Sequence, residues 1–372
     1  MLNVLEPRHV KLAGATTLEI TDITADAARF DGFDAHEQVW LGRDTVRGLT
    51  AIVAIHTTVL GPALGGTRIW PHATFEAGVV DALRLSRGMT FKSAIAGLPL
   101  GGGKAVIIAD AKTAKTPAML EAYAEMLNTL VGQYITAEDV GMTLADADFL
   151  AERAPNVAGT TKGGSGNPSP FTAQGTFLGL KSALRHRTGS DELKGVRVAV
   201  QGLGSVGWSL CAKFHAQGAV LTVSDLDAAR TARAAKQFGA TVVEGDAIVA
   251  ADVDIFAPCA LGGILSAKTI PLLKAGIVAG AANNQLATAE DGRRLVERGI
   301  LYAPDYVINA GGVINVAAEM AEGGYHVEAV MPRVEKIATT LTKIFERAER
   351  EDRTTDAVAE TMAREIVEAA RK

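Results

Sequence analysis

Residues 196–227 read VRVAVQGLGSVGWSLCAKFHAQGAVLTVSDLD. VRVAV is a short apolar run, the pattern of a parallel strand buried on both faces. Gly202, Gly204 and Gly207 follow at G-x-G-x-x-G spacing. The first glycine permits a tight turn, the second lets backbone approach a pyrophosphate, and the third lets helix and strand pack closely. The segment from Ser205 and Val206 to about Gln217 then predicts a helix whose N-terminus can hold a phosphate. A second apolar strand, AVLTVS, ends at Asp225, whose carboxylate can accept from an adenosine ribose and would repel a 2′-phosphate. Strand, turn, helix, strand and acid in register predict a dinucleotide site of the doubly wound kind, with NAD as the cofactor rather than NADP.

Outward from this unit, 372 residues leave room for a second domain. Hydrophobic residues at 48% and charged residues at 21% fit a globular chain. The net charge of −5, with no basic stripe, argues against a nucleic-acid partner. No uninterrupted apolar stretch of about 18 residues suggests a membrane span. MLNVLEPRHVKLAG lacks the basic and apolar regions of a signal peptide. Cys211 and Cys259 have no metal-type spacing, so no metal site is expected, and buried free thiols fit a reducing, cytoplasmic setting.

In the first third, ITDITA, TAIVAIHTTV and KAVIIAD read as strands. FEAGVVDALRLSRGMTFKSAI and PAMLEAYAEMLNTLVG read as helices, and TLADADFLAERA as a helix capped by Thr143. TTKGGSGNPSPFT has the composition of a linker. From about residue 171 helices and strands alternate, with further strands at VDIFAP, IVAGAA and ILYAP, as a doubly wound sheet requires. Two long helical patterns follow His326.

GMTFKSAIAGLPLGGGKAVIIAD holds two lysines in unusual company. GGGK is not a phosphate-binding P-loop, because position 98 is Leu and position 105 is Ala. Lys92 would follow a helix. Lys104, between glycines and an apolar strand, is a candidate desolvated amine. Were the two within about 5 Å, their repulsion of roughly 3 kcal/mol at an effective dielectric near 20 would favour a neutral amine. In TAEDVG a carboxylate precedes a glycine turn; Asp139 is the candidate, with Glu138 beside it as the alternative.

GPALGGTRIW (61–70), GMTFKSAIAGLPLGGGKAVI (88–107), YITAEDVG (134–141), GNPSPFTAQG (166–175), VQGLGSVG (200–207), APCALGG (257–263), AGAANNQL (279–286) and YAPDYVINAGGVINVA (302–317) together resemble the amino-acid dehydrogenase superfamily, closest to its leucine, valine and phenylalanine branch. The resemblance implies NAD-dependent oxidative deamination of an L-amino acid to a 2-oxo acid and ammonium. It implies an N-terminal α/β substrate and assembly domain over 1–155, a Rossmann-type domain over 156–344 with a cleft between them, and a C-terminal helix over 345–372 returning to the first. It implies a homo-oligomer. It makes Lys104 the base that activates water and Asp139 the proton shuttle. Lys92 would hold the substrate carboxylate and depress the Lys104 amine, with the backbone of Gly65 and Gly66 close to that carboxylate. Asn283 or Asn284, with Asn309, would lie near nicotinamide and amine, and Thr172 would join the cofactor site. Position 207 is Gly where branch members often carry Ala, a change expected to leave cofactor binding undisturbed.

The glutamate enzymes of the superfamily carry a lysine at the position of Leu64. Leu64, Val313 and Val316, with Met89 and Ala137 as further candidates, would line an apolar pocket in which a glutamate side chain is an unpaired buried charge. Branched aliphatic substrates are expected, leucine first, with phenylalanine the alternative. Two other classes compete. A 2-hydroxy-acid dehydrogenase would need a histidine acid–base at a glycine-rich strand end, which none of the seven histidines offers. A non-catalytic NAD-binding regulator would be marked by loss of Lys92, Lys104 or Asp139.

Overall fold

A computed structural model describes residues 9–10, 16–260 and 262–372; the N-terminal stretch read for a targeting signal lies largely outside them, as does Leu261 of APCALGG. The chain forms two compact units, Met1–Asn167 with Glu319–Tyr325 and Ala363–Lys372, and Pro168–Ala318 with His326–Met362.

The first unit is a mixed sheet. Its strands are β1 His9–Val10, β2 Glu19–Asp22, β3 Gln38–Asp44, β4 Leu49–Thr57, β5 Ala63–Leu64, β6 Thr67–Trp70, β7 Gly101–Ile108 and β8 Tyr134–Ile135. They run in the order β1-β2-β3-β4-β7-β5-β8, with β6 beside β7. Its helices are α1 Thr24–Ala27, α2 Phe75–Ile95, α3 Pro117–Asn128 and α4 Leu144–Ala151. Threonines cap three of them: Thr74, Thr116 and Thr143 each accept a backbone N–H of the first turn. At Thr143 the cap expected from sequence is reciprocated by Asp146.

β7 is buried nearly throughout because it is covered on both faces. Val106 packs with Val79, Ala82 and Leu83 of α2. Ala105 and Ile107 pack with Met119, Tyr123 and Met126 of α3. Side chains alternate along a strand, so Lys104 shares the α2 face with Val106. On that same face Gly102 lets α2 press against the strand: a Cβ there would lie 2.1 Å from the Thr90 nitrogen.

The second unit carries β9 Arg197–Gln201, β10 Val220–Ser224, β11 Thr241–Val242, β12 Ile255–Pro258, β13 Ile277–Val278 and β14 Leu301–Tyr302. Its sheet has the order β11-β10-β9-β12-β13-β14, and every pairing is parallel. This is the 3-2-1-4-5-6 order of a doubly wound dinucleotide fold, whose switch point lies at the carboxyl ends of β9 and β12. Its helices are α5 Ser169–Thr188, α6 Ser205–Ala216, α7 Ala228–Phe238, α8 Glu290–Glu297, α9 Asp305–Ile308, α10 Gly311–Ala317 and α11 Met331–Glu351, followed by α12 Thr355–Ala370, which spans both units. VDIFAP narrows to four paired residues ending at Pro258, which has no N–H to extend the ladder.

The units divide later than the 155/156 boundary expected from sequence, and the C-terminal return begins at Ala363 rather than 345. α11 stays with the second unit because Gly175 and Gly179 on α5 admit it. Added Cβ atoms there would lie 2.5 Å from Ile337 and 2.7 Å from Leu341 of α11. The glycine-rich segment before α5 is held within the first unit by Glu319, whose Oε1 accepts from the Gly159 and Ser165 nitrogens at 2.9 and 2.6 Å. Among the described residues no helix is long and apolar enough to cross a membrane.

Candidate active site

The first unit gathers its candidate residues around a glycine pair. β5 ends at Leu64, and the chain stays bonded to the segment after β8 through Gly65 N to Ile135 O at 3.1 Å and Thr67 N to Ala137 O at 2.9 Å. A Cβ on Gly65 would lie 1.7 Å from the Gly103 oxygen and 3.3 Å from Met89 Cγ. One on Gly66 would lie 2.3 Å from the Glu138 oxygen and 3.1 Å from the Asp139 Cβ. Only glycine lets these backbones meet. Leu64, Gly65, Gly66, Met89, Lys104, Ala137 and Asp139 therefore share one corner, with Leu64 2% exposed. Beneath it the Tyr134 hydroxyl donates to the Gly65 carbonyl, and the Thr67 hydroxyl bonds those of Tyr123 and Thr136, both at 2.6 Å.

Lys104 is 6% exposed and its Nζ donates to Asp139 Oδ2. Burial alone would raise the Asp139 carboxyl, but the Lys104 ammonium and the Arg68 guanidinium outweigh it and hold it down at about 2. Glu138 behaves oppositely: burial raises it, and the Asp139 charge adds to the effect. Of the two carboxyls, Asp139 is the one bonded to the lysine. Lys92 does not follow a helix; it is half-buried in the last turn of α2, one turn beyond Met89. The charged group bonded to Lys104 is Asp139.

Arg68 was missed by the sequence reading. Its Nε lies 3.4 Å from Asp139 Oδ2, and its Nη1 lies 3.1 Å from Asp81 Oδ2 on α2. His72 Nε2 stands 3.3 Å from the same Asp81 oxygen. The only signal was an arginine two positions beyond the glycine pair in GGTRIW. Its meaning depends on β6 pairing with β7, which sets Arg68 opposite Val106.

In the second unit the G-x-G-x-x-G turn follows β9. Gly202 has φ +94°, in the region that favours glycine, and its N–H donates to the Ser224 oxygen at 2.7 Å. A Cβ on Gly204 would meet nothing within 4 Å, so this side of the turn is open to a ligand. No side chain caps α6 at Gly204, so its first-turn N–H groups remain available, Ser205 and Val206 among them. A Cβ at 207 would lie 1.9 Å from the Gly202 oxygen. In this turn the close approach of helix and strand leaves no room for a Cβ at 207.

Asp225 follows β10 and ties the turn together, its Oδ2 accepting from Leu203 N at 2.6 Å and its Oδ1 from Asp227 N at 2.8 Å. Each oxygen keeps a lone pair for a further donor. An open pocket beside the turn is lined by Leu203, Gly204, Ser205, Trp208, Arg230 and Arg233. The open glycine, the uncapped helix and the terminal acid fit a dinucleotide.

A second group lies elsewhere in this unit. Asn309 Nδ2 donates to Asn283 Oδ1 at 2.7 Å and to the Ala281 oxygen at 3.1 Å. Asn284 takes a left-handed φ of +52°. Asn283 is thus the one bonded to Asn309. Glycines 311 and 312 let α10, which carries Val313 and Val316, abut the start of α5. Added Cβ atoms would lie 2.9 Å from the Thr172 nitrogen and 2.7 Å from its hydroxyl. Cys211 and Cys259 are both free thiols, and burial pushes Cys211 up to about 12. Among the described residues no cluster of three or more His, Cys, Asp or Glu side chains could hold a metal ion.

The first unit thus presents a buried lysine–aspartate pair beside a glycine corner, and the second an open G-x-G-x-x-G turn. Residues 35–155 match the family described as Glu/Leu/Phe/Val dehydrogenase, dimerisation domain, and residues 163–229 and 226–372 match Glutamate/Leucine/Phenylalanine/Valine dehydrogenase. A leucine dehydrogenase of Geobacillus stearothermophilus is 50% identical over 339 residues, 91% of this chain and 92% of the relative. An L-tryptophan dehydrogenase of Nostoc punctiforme is 48% identical over 333 residues, 89% of this chain and 93% of the relative. The crystal structure of L-tryptophan dehydrogenase from Nostoc punctiforme superposes with a TM-score of 0.80 at 47% identity, covering 91% of this chain and 97% of that one. The chain belongs to the Glu/Leu/Phe/Val dehydrogenase family and is an amino acid dehydrogenase.

Proposed function

We propose that the chain catalyses the NAD-dependent, reversible oxidative deamination of an apolar L-amino acid, leucine and other branched-chain amino acids first, to its 2-oxo acid and ammonium. The observation that carries this reading is the buried Lys104–Asp139 pair set against the Leu64-Gly65-Gly66 corner. The chemistry a nicotinamide supplies when bound is acceptance of a hydride from Cα; the proton transfers fall to the side chains.

In this reading Lys92 and the Gly65–Gly66 backbone hold the substrate carboxylate. Asp139, kept ionised by its two cations, accepts a proton from the substrate amine. Lys104, once neutral, takes a proton from the water that attacks the imine, and Asp139 returns a proton as ammonia departs. Asn284 completes the amine end. Gly202, Gly204, Ser205, Val206 and Gly207 hold the pyrophosphate and Asp225 the adenosine ribose, while Thr172, Asn283 and Asn309 serve the nicotinamide end. Asp225 favours NAD over NADP because its charge would repel a 2′-phosphate.

Leu64 supports an apolar substrate, since a glutamate carboxylate against it would be buried without a partner. Met89 and Ala137 adjoin it, and Val313 and Val316 are the apolar candidates on α10. A large aromatic substrate, phenylalanine or tryptophan, is the second reading, favoured by the resemblance to the Nostoc enzyme. We propose further that the chain works as a cytoplasmic homo-oligomer. The test is NADH oxidation with 4-methyl-2-oxopentanoate, with and without ammonium. Oxidation only when ammonium is present is expected. Equal oxidation without it would mean hydroxy-acid chemistry and overturn the reading.

A further inference from the structure

Arg68 stands between two carboxylates, Asp139 and Asp81. Its Nε lies 3.4 Å from Asp139 Oδ2, the oxygen that also takes Lys104 Nζ. Its Nη1 pairs with Asp81, behind which stands His72. The Arg68 Nε–H is buried and makes no hydrogen bond in this arrangement, so a donor waits within ion-pair distance of Asp139. A base must release its proton. An ammonium paired one-to-one with a buried carboxylate resists release, because the anion is left uncompensated. A guanidinium keeps its charge throughout the working pH range. With one beside it, the carboxylate retains a counter-charge whichever state the lysine adopts.

We propose that Arg68 is a positioning residue that takes over the Asp139 carboxylate when Lys104 gives its proton to solvent, freeing the neutral amine to act as the base. This rests on the proposed role of Lys104. It assigns to an arginine on β6 a part that the sequence analysis gave to desolvation and to repulsion from Lys92. Arg68 promotes release of the Lys104 proton, and Lys92, on α2, acts in the same sense. Asp81, on α2, neutralises Arg68 and opposes release; His72 modulates Asp81; Glu138, where ionised, also opposes it.

The test uses the full-length protein and two readouts. One is the acid limb of kcat/KM for leucine deamination. The other is the pH dependence of Lys104 acetylation by trace acetic anhydride, followed by peptide mass spectrometry, which needs no turnover. In Arg68→Gln both should move to higher pH by about one to two units, the effect of removing a unit charge about 6 Å away at an effective dielectric near 20. Arg68→Lys should recover most of the shift. Asp81→Asn, which leaves Arg68 less neutralised, should move both to lower pH. Thermal unfolding and NAD titration check the fold; should Arg68→Gln fail to fold, the direction of the Asp81→Asn shift decides. A folded Arg68→Gln with wild-type labelling overturns the proposal, as does an upward shift in Asp81→Asn. Labelling that moves as expected in a protein with no deamination activity would uphold the arginine's role and overturn the proposed reaction instead.

Discussion

Asp139→Asn removes the charge at the centre of the site and keeps the shape. The native Asp139 carboxyl sits at about 2 against an ordinary 3.8. At about 1.4 kcal/mol per unit, that difference makes its ionisation favour the native state by roughly 2 kcal/mol. The variant also leaves the Lys104 ammonium opposite a neutral amide. Losing one partner of a fully buried pair costs about 3–5 kcal/mol, and the Asp139 side chain, 23% exposed, belongs below that range. A loss of about 2–3 kcal/mol at pH 7 is therefore expected. The acid is depressed in the fold, so its contribution is complete above 3.8 and lost as pH falls towards 2. The stability gap between wild type and variant should be present at pH 5 as at pH 7 and should narrow below about pH 4. With the proposed proton shuttle gone, kcat should fall by about 10²–10⁴ while NAD affinity holds. Urea unfolding followed by tryptophan fluorescence and initial rates of NADH formation measure both. A variant that unfolds at the wild-type urea concentration and keeps kcat within about tenfold would refute the reasoning.

Lys104→Ala should abolish turnover and leave NAD binding intact, as read by activity beside nucleotide titration; unchanged turnover would remove it as the base. Gly204→Ala should fold normally, since its Cβ meets open space, yet bind NAD at least about tenfold more weakly by blocking the pyrophosphate, whereas Gly207→Ala should also lose thermal stability through the 1.9 Å contact. Leu64→Ala should shift kcat/KM from leucine towards phenylalanine by about 10-fold or more, a methylene being worth about 1–3 kcal/mol. His56 is buried, and that burial, with His36 beside it, lowers it from 6.5 to about 4. The native state therefore resists protonating it, and up to about 3 kcal/mol of stability should be lost as pH falls from 6.5 to 4, a slope that His56→Gln should flatten in urea unfolding.

Local features were legible in the sequence. The β9–turn–α6–β10 unit follows from an apolar run, glycine spacing and an acid, all within one stretch of chain. The Gly65–Gly66 and GGGK segments stand out for the same reason. What depended on distant pairing was not legible. Arg68 gains its meaning only when β6 lies beside β7. Asp139 rather than Glu138 meets Lys104 only through the backbone path after β8. Asp225 shows its hold on Leu203 and Asp227 only once the turn is folded. The start of the C-terminal return was misplaced because two glycines on α5, which look unremarkable in a helical pattern, decide where α11 packs.

The central claim is deamination of an apolar L-amino acid with NAD⁺. The most direct measurement is NADH formation at alkaline pH with L-leucine, L-valine, L-phenylalanine, L-tryptophan and L-glutamate in parallel. The highest kcat/KM on leucine or valine, with negligible rate on glutamate, is the expected result. A preference for glutamate, or no turnover with any of the five, would contradict the account.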